Sequence, residues 1–96
     1  MKIKKPNQHF KYVLECLGEN YLDKVIDYEH CVYRKINNRY DIEISGVNTS
    51  KRKKSYSIYV WETSPGLHVI EEIFDVKSIS SLKRNLYTIV EKYKLM

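Results

Sequence analysis

Apolar residues near the N-terminus recur with the spacing of one helical face. They lie at positions i, i+3, i+4 and i+7 and are Phe10, Val13, Leu14 and Leu17. Asn7 suits the start of this helix, and Gly18 suits the residue just past its end. The pattern predicts a first helix from about residue 7 to residue 17.

A second helical pattern lies near the C-terminus. Ser78 or Ser80 is placed to cap it, and it continues to about Lys94. Its apolar residues follow helical spacing and are Ile79, Leu82, Leu86, Ile89, Val90 and Tyr93.

Between the helices, residues 30–45 predict a β-hairpin. Asn37 and Asn38 suit a two-residue type I′ turn, because asparagine tolerates the positive φ that this turn requires. The predicted register pairs Tyr33 with Ile42 and Cys31 with Ile44 on one face, and Arg34 with Asp41 and Val32 with Glu43 on the other.

Residues 55–63 and 67–74 predict two further strands, separated by the turn signal Ser64-Pro65-Gly66. In the first of them Tyr56, Ile58 and Val60 share one face and Ser57, Tyr59 and Trp61 share the other. The inward face of the second stays open, because apolar residues occupy both of its faces.

The predicted fold class is α+β, in the order α-β-β-β-β-α. We expect a four-stranded antiparallel meander with both helices packed on one face, as a two-layer sandwich. Residues 1–96 form one domain, with residues 1–5 as a frayed lead. The predicted core consists of Phe10, Leu14, Leu17, Ile42, Ile44, Ile58, Val60, Leu82, Leu86 and Ile89.

Composition narrows the class of partner. The net charge of +5 favours anionic partners by long-range attraction. Nine tyrosines, with many Lys, Ile and Asn residues, are typical of AT-rich genomes and suggest a bacterial, phage or mobile-element origin. There is no signal-peptide pattern, no apolar run of membrane-spanning length and no cysteine framework, so we expect a cytoplasmic protein with reduced Cys16 and Cys31 and no membrane association.

Four consecutive cations, Lys51, Arg52, Lys53 and Lys54, follow the predicted hairpin. They have two interpretations. The loop contacts phosphate, or it is merely a solvated loop whose lysines discourage aggregation. Lys83 and Arg84 near the start of the last helix add mild support for an anionic partner, although their solvated positions on an amphipathic helix are the simpler explanation.

Tyr59 and Trp61 leave three interpretations open. On the sheet face away from the helices, such rings stack on bases, anchor a protein interface, or only cover a half-buried sheet.

The residue types needed for catalysis or metal binding are present, but not at useful spacings. His9, His30 and His68 form no zinc motif with the two cysteines, and the adjacent Glu71 and Glu72 diverge in a strand. No thiol is marked as activated, and the glycines build no phosphate loop. We therefore expect no enzyme activity, no metal and no cofactor.

The stretch YDIEISGVNTSKRKKSYSIY, residues 40–59, resembles the small three-strand-plus-helix DNA-binding domains of some phage and transposon integrases. In that family the sheet lies in the major groove, and the hairpin loop often reads Thr-Gly-Lys-Arg-Lys. Here Thr49-Ser50-Lys51-Arg52-Lys53 lacks the glycine, and a strand and an N-terminal helix are extra. The resemblance covers under half of the chain and does not identify a family.

The sequence thus predicts a small non-enzymatic binding protein. It binds nucleic acid, or a protein that handles nucleic acid, through the basic loop and the aromatic sheet face. The alternative is a protein inhibitor or adaptor that acts through a tyrosine-rich surface without nucleic acid. The candidate binding residues are Lys51, Arg52, Lys53, Lys54, Tyr59, Trp61, Lys83 and Arg84.

Overall fold

A computed structural model describes residues 3–96, so part of the predicted frayed lead, Met1 and Lys2, lies outside the described residues. Two helices flank five strands. The elements are α1 (Gln8–Leu17), β1 (Leu22–Ile26), β2 (Glu29–Lys35), β3 (Tyr40–Ser45), β4 (Tyr56–Glu62), β5 (His68–Val76) and α2 (Ile79–Tyr93).

Both helices begin where the sequence predicts. The side chain of Asn7 accepts a hydrogen bond from the backbone of Phe10 at the start of α1. The side chain of Ser78 accepts a hydrogen bond from the backbone N–H of Ser81 at the start of α2. Each cap satisfies one of the backbone N–H groups that a helix start leaves free.

The strands form one antiparallel sheet in the order β1-β2-β3-β4-β5, and the apolar sides of α1 and α2 share one core with one face of this sheet. The α+β class, the antiparallel meander and the flanking helices are confirmed. The number of strands was predicted wrongly, because the sheet has a fifth strand, β1.

The missing strand has no clear sequence pattern. β1 is an edge strand whose residues are largely exposed, so its apolar and charged residues do not alternate. Its turn to β2 consists of Asp27 and Tyr28, both with positive φ (51° and 64°). A two-residue turn of this kind favours Asn-Gly or Asp-Gly, and a bulky tyrosine at its second position gives no turn signal.

The predicted register of the β2–β3 hairpin is wrong by one residue. Val32 pairs with Ile44 and Arg34 with Ile42, while Tyr33 lies opposite Glu43. The loop contains three residues, 37–39, because the backbone of Ile36 donates to the carbonyl oxygen of Tyr40 at 2.9 Å. The slip moves Cys31 and Tyr33 to the sheet face away from the helices.

Asn37 forms this turn with its side chain. Its Oδ1 accepts hydrogen bonds from the backbone N–H groups of Arg39 (2.9 Å) and Tyr40 (3.0 Å). Neither Asn37 nor Asn38 adopts the positive φ that the type I′ prediction required. An Asx-type turn has therefore replaced the two-residue turn.

The core lies between the helices and the sheet. Eight of the ten predicted core residues are buried, and Leu14 and Leu17 are half-buried at its margin. The inward side of β5, which the sequence leaves open, carries Ile73 and Val76 opposite Ile58 and Tyr56.

Leu86 on α2 is 3% exposed, so shortening it removes packing that the core cannot easily replace. We expect Leu86→Ala to lower the free energy of unfolding by about 2–5 kcal/mol. Chemical denaturation followed by circular dichroism measures this change. Leu95→Ala is the matched control, because Leu95 is 89% exposed. Equal stability of the two variants would contradict the two-layer packing.

Candidate functional site

The basic loop, residues 46–55, joins β3 to β4, and its ends are held in place by close contact and burial. Gly46 has φ of 77°, and a Cβ there would lie 2.7 Å from the carbonyl oxygen of Ser55, so the loop closes only with glycine at this position. Val47 is fully buried in the core. The four cations therefore extend from an anchored base.

Asparagine side chains tie the same loop to the chain before α1. Asn48 Oδ1 accepts from the backbone N–H of Asn7 at 2.9 Å, and Asn7 Nδ2 donates to the carbonyl oxygen of Thr49 at 2.9 Å. Asn48 Nδ2 also donates to the carbonyl oxygen of Lys5 at 3.2 Å. These bonds join two segments that are more than 40 residues apart in the sequence.

The result is one cationic surface, which we name the basic end. Its six residues are Lys4, Lys5, Lys51, Arg52, Lys53 and Lys54. A depression of about 280 Å³ lies between its two segments, lined by Lys4, Lys5 and Lys51 among others. Within residues 3–96, no carboxylate lies within 4.0 Å of any of these six cations.

Both helices begin beside the basic end. Asn7 caps α1, and α2 starts close to the loop because Ser55 Oγ donates to Asp75 Oδ1 and Tyr56 pairs with Val76. Neither helix has an acidic residue in its first turn. The first turns of both helices therefore add no negative charge to the basic end, and Asp75 is the carboxylate that lies beside the start of α2.

Tyr59 and Trp61 lie on the opposite side of the sheet from the helices, as predicted. This surface, the open face, also carries Asp41 and Glu43, which pair across β3 and β4 with Trp61 and Tyr59 respectively. Trp61 Nε1 donates to Glu43 Oε1 at 2.9 Å. The open face is therefore acidic as well as aromatic.

Two adjoining depressions of about 310 and 360 Å³ form a groove across the open face. They share Ile26, Asp27, Glu43 and Trp61. We name this feature the acidic groove, after its four carboxylates Asp27, Glu29, Asp41 and Glu43.

None of these carboxylates forms an ion pair within residues 3–96. Lys24 is the one cation among the described lining residues, and its Nζ lies over the ring of Tyr33 at 4.1 Å. Sequence reasoning missed this groove. The sequence signal for it is the alternation of Asp41 and Glu43 with Ile42 and Ile44, which places both carboxylates on one face of β3.

Lys83 and Arg84 belong to neither surface. Both are exposed on α2, and Lys83 lines a third depression with Cys16, Leu17 and Arg34 on the helix side. The candidate residues predicted from the sequence therefore lie on three surfaces: the basic loop at the end of the sheet, the aromatic pair on the open face, and the helix pair.

Residues 3–96 contain no group of three or more His, Cys, Asp or Glu side chains arranged to hold a metal ion. Among the same residues, neither helix combines the length and the apolar character needed to cross a membrane. Comparison with protein-family models, curated proteins and solved structures finds no match.

Both cysteines are free thiols, as predicted. Burial, together with the negative charges of Glu29, Glu43 and Asp27, raises the pKa of the Cys31 thiol to about 12. Cys31 lies on the floor of the open face, with its Sγ 3.9 Å from Glu43 Oε2. Burial is the largest cause of the raised pKa of this thiol, and the carboxylates of the acidic groove add to it.

In a Cys16→Ser variant, Cys31 is the one remaining thiol, and we expect it to resist alkylation. At pH 8 a pKa of about 12 leaves a thiolate fraction roughly a thousandfold smaller than that of an ordinary cysteine. Iodoacetamide labelling followed by mass spectrometry measures the rate. Unfolding in guanidinium restores rapid labelling. Rapid labelling of the native variant would show that the thiol is neither shielded nor near uncompensated carboxylates.

Proposed function

We propose that this chain is a small non-enzymatic binding protein whose basic end contacts the phosphate backbone of nucleic acid. The observation that carries the proposal is the joining of Lys4 and Lys5 to the Lys51–Lys54 loop by side chains of Asn7 and Asn48. These bonds place Lys4 and Lys5 beside the loop, so that its four cations become part of a six-cation surface.

Most charges of the basic end are available for a ligand, while Lys54 Nζ donates to the carbonyl oxygen of Lys51. Lys51, Arg52 and Lys53 are exposed, and none of the six cations has a carboxylate partner in the described chain. Five of the six are lysines, which bind phosphate as point charges and lack the planar fork of a guanidinium. The chemistry favours backbone contacts without sequence preference.

The open face takes no part in phosphate binding in this proposal. Asp41 and Glu43 lie beside Trp61 and Tyr59, and their negative charges repel a phosphate chain. Stacking of bases on these two rings, one of the interpretations of the sequence, would bring phosphates towards both carboxylates. The proposal therefore places the nucleic acid at the end of the sheet only.

A second candidate function is capture of a protein, including one that handles nucleic acid. The observation that favours it is that Tyr59 and Trp61 are half-buried and line a groove. Tyrosine and tryptophan in such positions are frequent anchors of protein interfaces. This function would use the open face and would not require the basic end.

Replacing Lys51, Arg52, Lys53 and Lys54 with Gln tests the first function. We expect weaker binding of a labelled oligonucleotide and a flatter dependence of log K on log salt. The slope falls by about 0.9 for each lost duplex contact and about 0.7 for a single strand. Fluorescence anisotropy at several salt concentrations measures both.

The matched control replaces Lys35, Lys83, Arg84 and Lys94 with Gln. Like the test variant, it removes three lysines and one arginine, but from exposed positions outside the basic end. Both variants therefore carry equal net charge, and the melting temperature of each should stay near that of the parent. An equal loss of binding in the two variants, or no binding by the parent at low salt, would contradict the proposed site.

A further inference from the structure

We propose that the acidic groove binds an extended, arginine- and lysine-rich segment of a partner protein. This binding uses a different surface from the proposed nucleic-acid site and does not depend on it. It gives the protein-capture function a specific chemistry, since the groove selects a cationic segment.

The shape of the groove fits an extended chain. Its lining residues come from β1, β2, β3, β4 and β5, so the groove crosses the whole sheet. An extended segment laid along it would contact residues of all five strands. Ile26, Asp27, Glu43 and Trp61 line both depressions.

The charge of the groove fits a cationic occupant. Four carboxylates and one ammonium group line it, in a chain that otherwise has an excess of cations. Glu43 is 8% exposed and is held by Trp61 Nε1 and Cys31 Sγ, neither of which carries a positive charge. An incoming guanidinium would supply the missing counter-charge and can bond a carboxylate through two N–H groups.

The aromatic rings favour the same ligand. Lys24 already lies over the ring of Tyr33, which shows how a cation is held on this face. Trp61 lies between the two depressions and presents the most favourable ring type for a cation. Arginine combines stacking on such a ring with bonds to Asp41 and Glu43 beside it.

Trp61 is the only tryptophan in the chain, so its fluorescence reports on the groove alone. The probe is an octa-arginine peptide, titrated at low salt into the full chain. We expect a saturable change in Trp61 emission that weakens as salt is raised. A protein of net charge +5 repels this peptide overall, so binding cannot come from bulk charge.

The test variant is Asp41→Asn combined with Glu43→Gln. The amide oxygens can still accept the hydrogen bonds from Tyr33 Oη and Trp61 Nε1, while both charges are lost. We expect its affinity for octa-arginine to fall by about tenfold or more. The matched control is Glu15→Gln with Glu91→Gln, two exposed helix positions, and it should bind like the parent.

If the double variant does not fold by circular dichroism, Asp41→Asn alone replaces it, because Asp41 is only half-buried. An octa-glutamate peptide tests whether binding requires a positively charged peptide, and it should leave Trp61 emission unchanged. No response to octa-arginine at millimolar concentration, or equal weakening in the control variant, would overturn the proposal.

A second copy of the chain is the alternative occupant, because its own Lys51–Lys54 loop is a basic segment. Such head-to-tail contacts would give either a closed ring or an open chain of copies. Sedimentation velocity distinguishes the two occupants. A concentration-dependent oligomer that disappears when the four loop residues become Gln would overturn the partner proposal, and a monomer at all concentrations supports it.

Discussion

The register of the β2–β3 hairpin decides the chemistry of both faces of the sheet. Asn37 sets it, by holding the backbone of Arg39 and Tyr40 and by donating from Nδ2 to the carbonyl oxygen of Tyr93 at the end of α2. In this register Arg34 faces the helix side and lies against the ring of Tyr21. A shift of one residue would place Arg34 opposite Asp41, and the acidic groove would contain its own counter-charge.

The elements that the sequence predicts well are those whose burial is one-sided. α1, α2 and β4 each present a regular apolar face to a single core, and their spacing alone reveals them. The sequence does not predict β1, because this strand lies at the edge of the sheet and its turn depends on Tyr28 adopting a conformation that tyrosine rarely takes. The hairpin register is not predictable from the sequence, because an asparagine can form a turn either through its backbone or through its side chain. Tertiary contacts determine which of the two turns forms.

The candidate surfaces show the same limit. Four of the six cations of the basic end are adjacent in the sequence and are visible there, but their joining to Lys4 and Lys5 depends on hydrogen bonds across more than 40 residues. Asp41 and Glu43 are visible as the alternate positions of a strand. Their meaning emerges only when β4 pairs beside them and places Trp61 next to two carboxylates.

The two signs of charge lie on separate surfaces of this domain, and a requirement for solubility does not explain that separation. A surface arranged for solubility mixes both signs, whereas this chain keeps unpaired lysines at one end and unpaired carboxylates on the open face. Glu43 is buried with neutral donors only, which is unfavourable for a carboxylate. The two proposals above account for this separation, one for each sign of charge: phosphate contacts at the basic end and a cationic segment in the acidic groove.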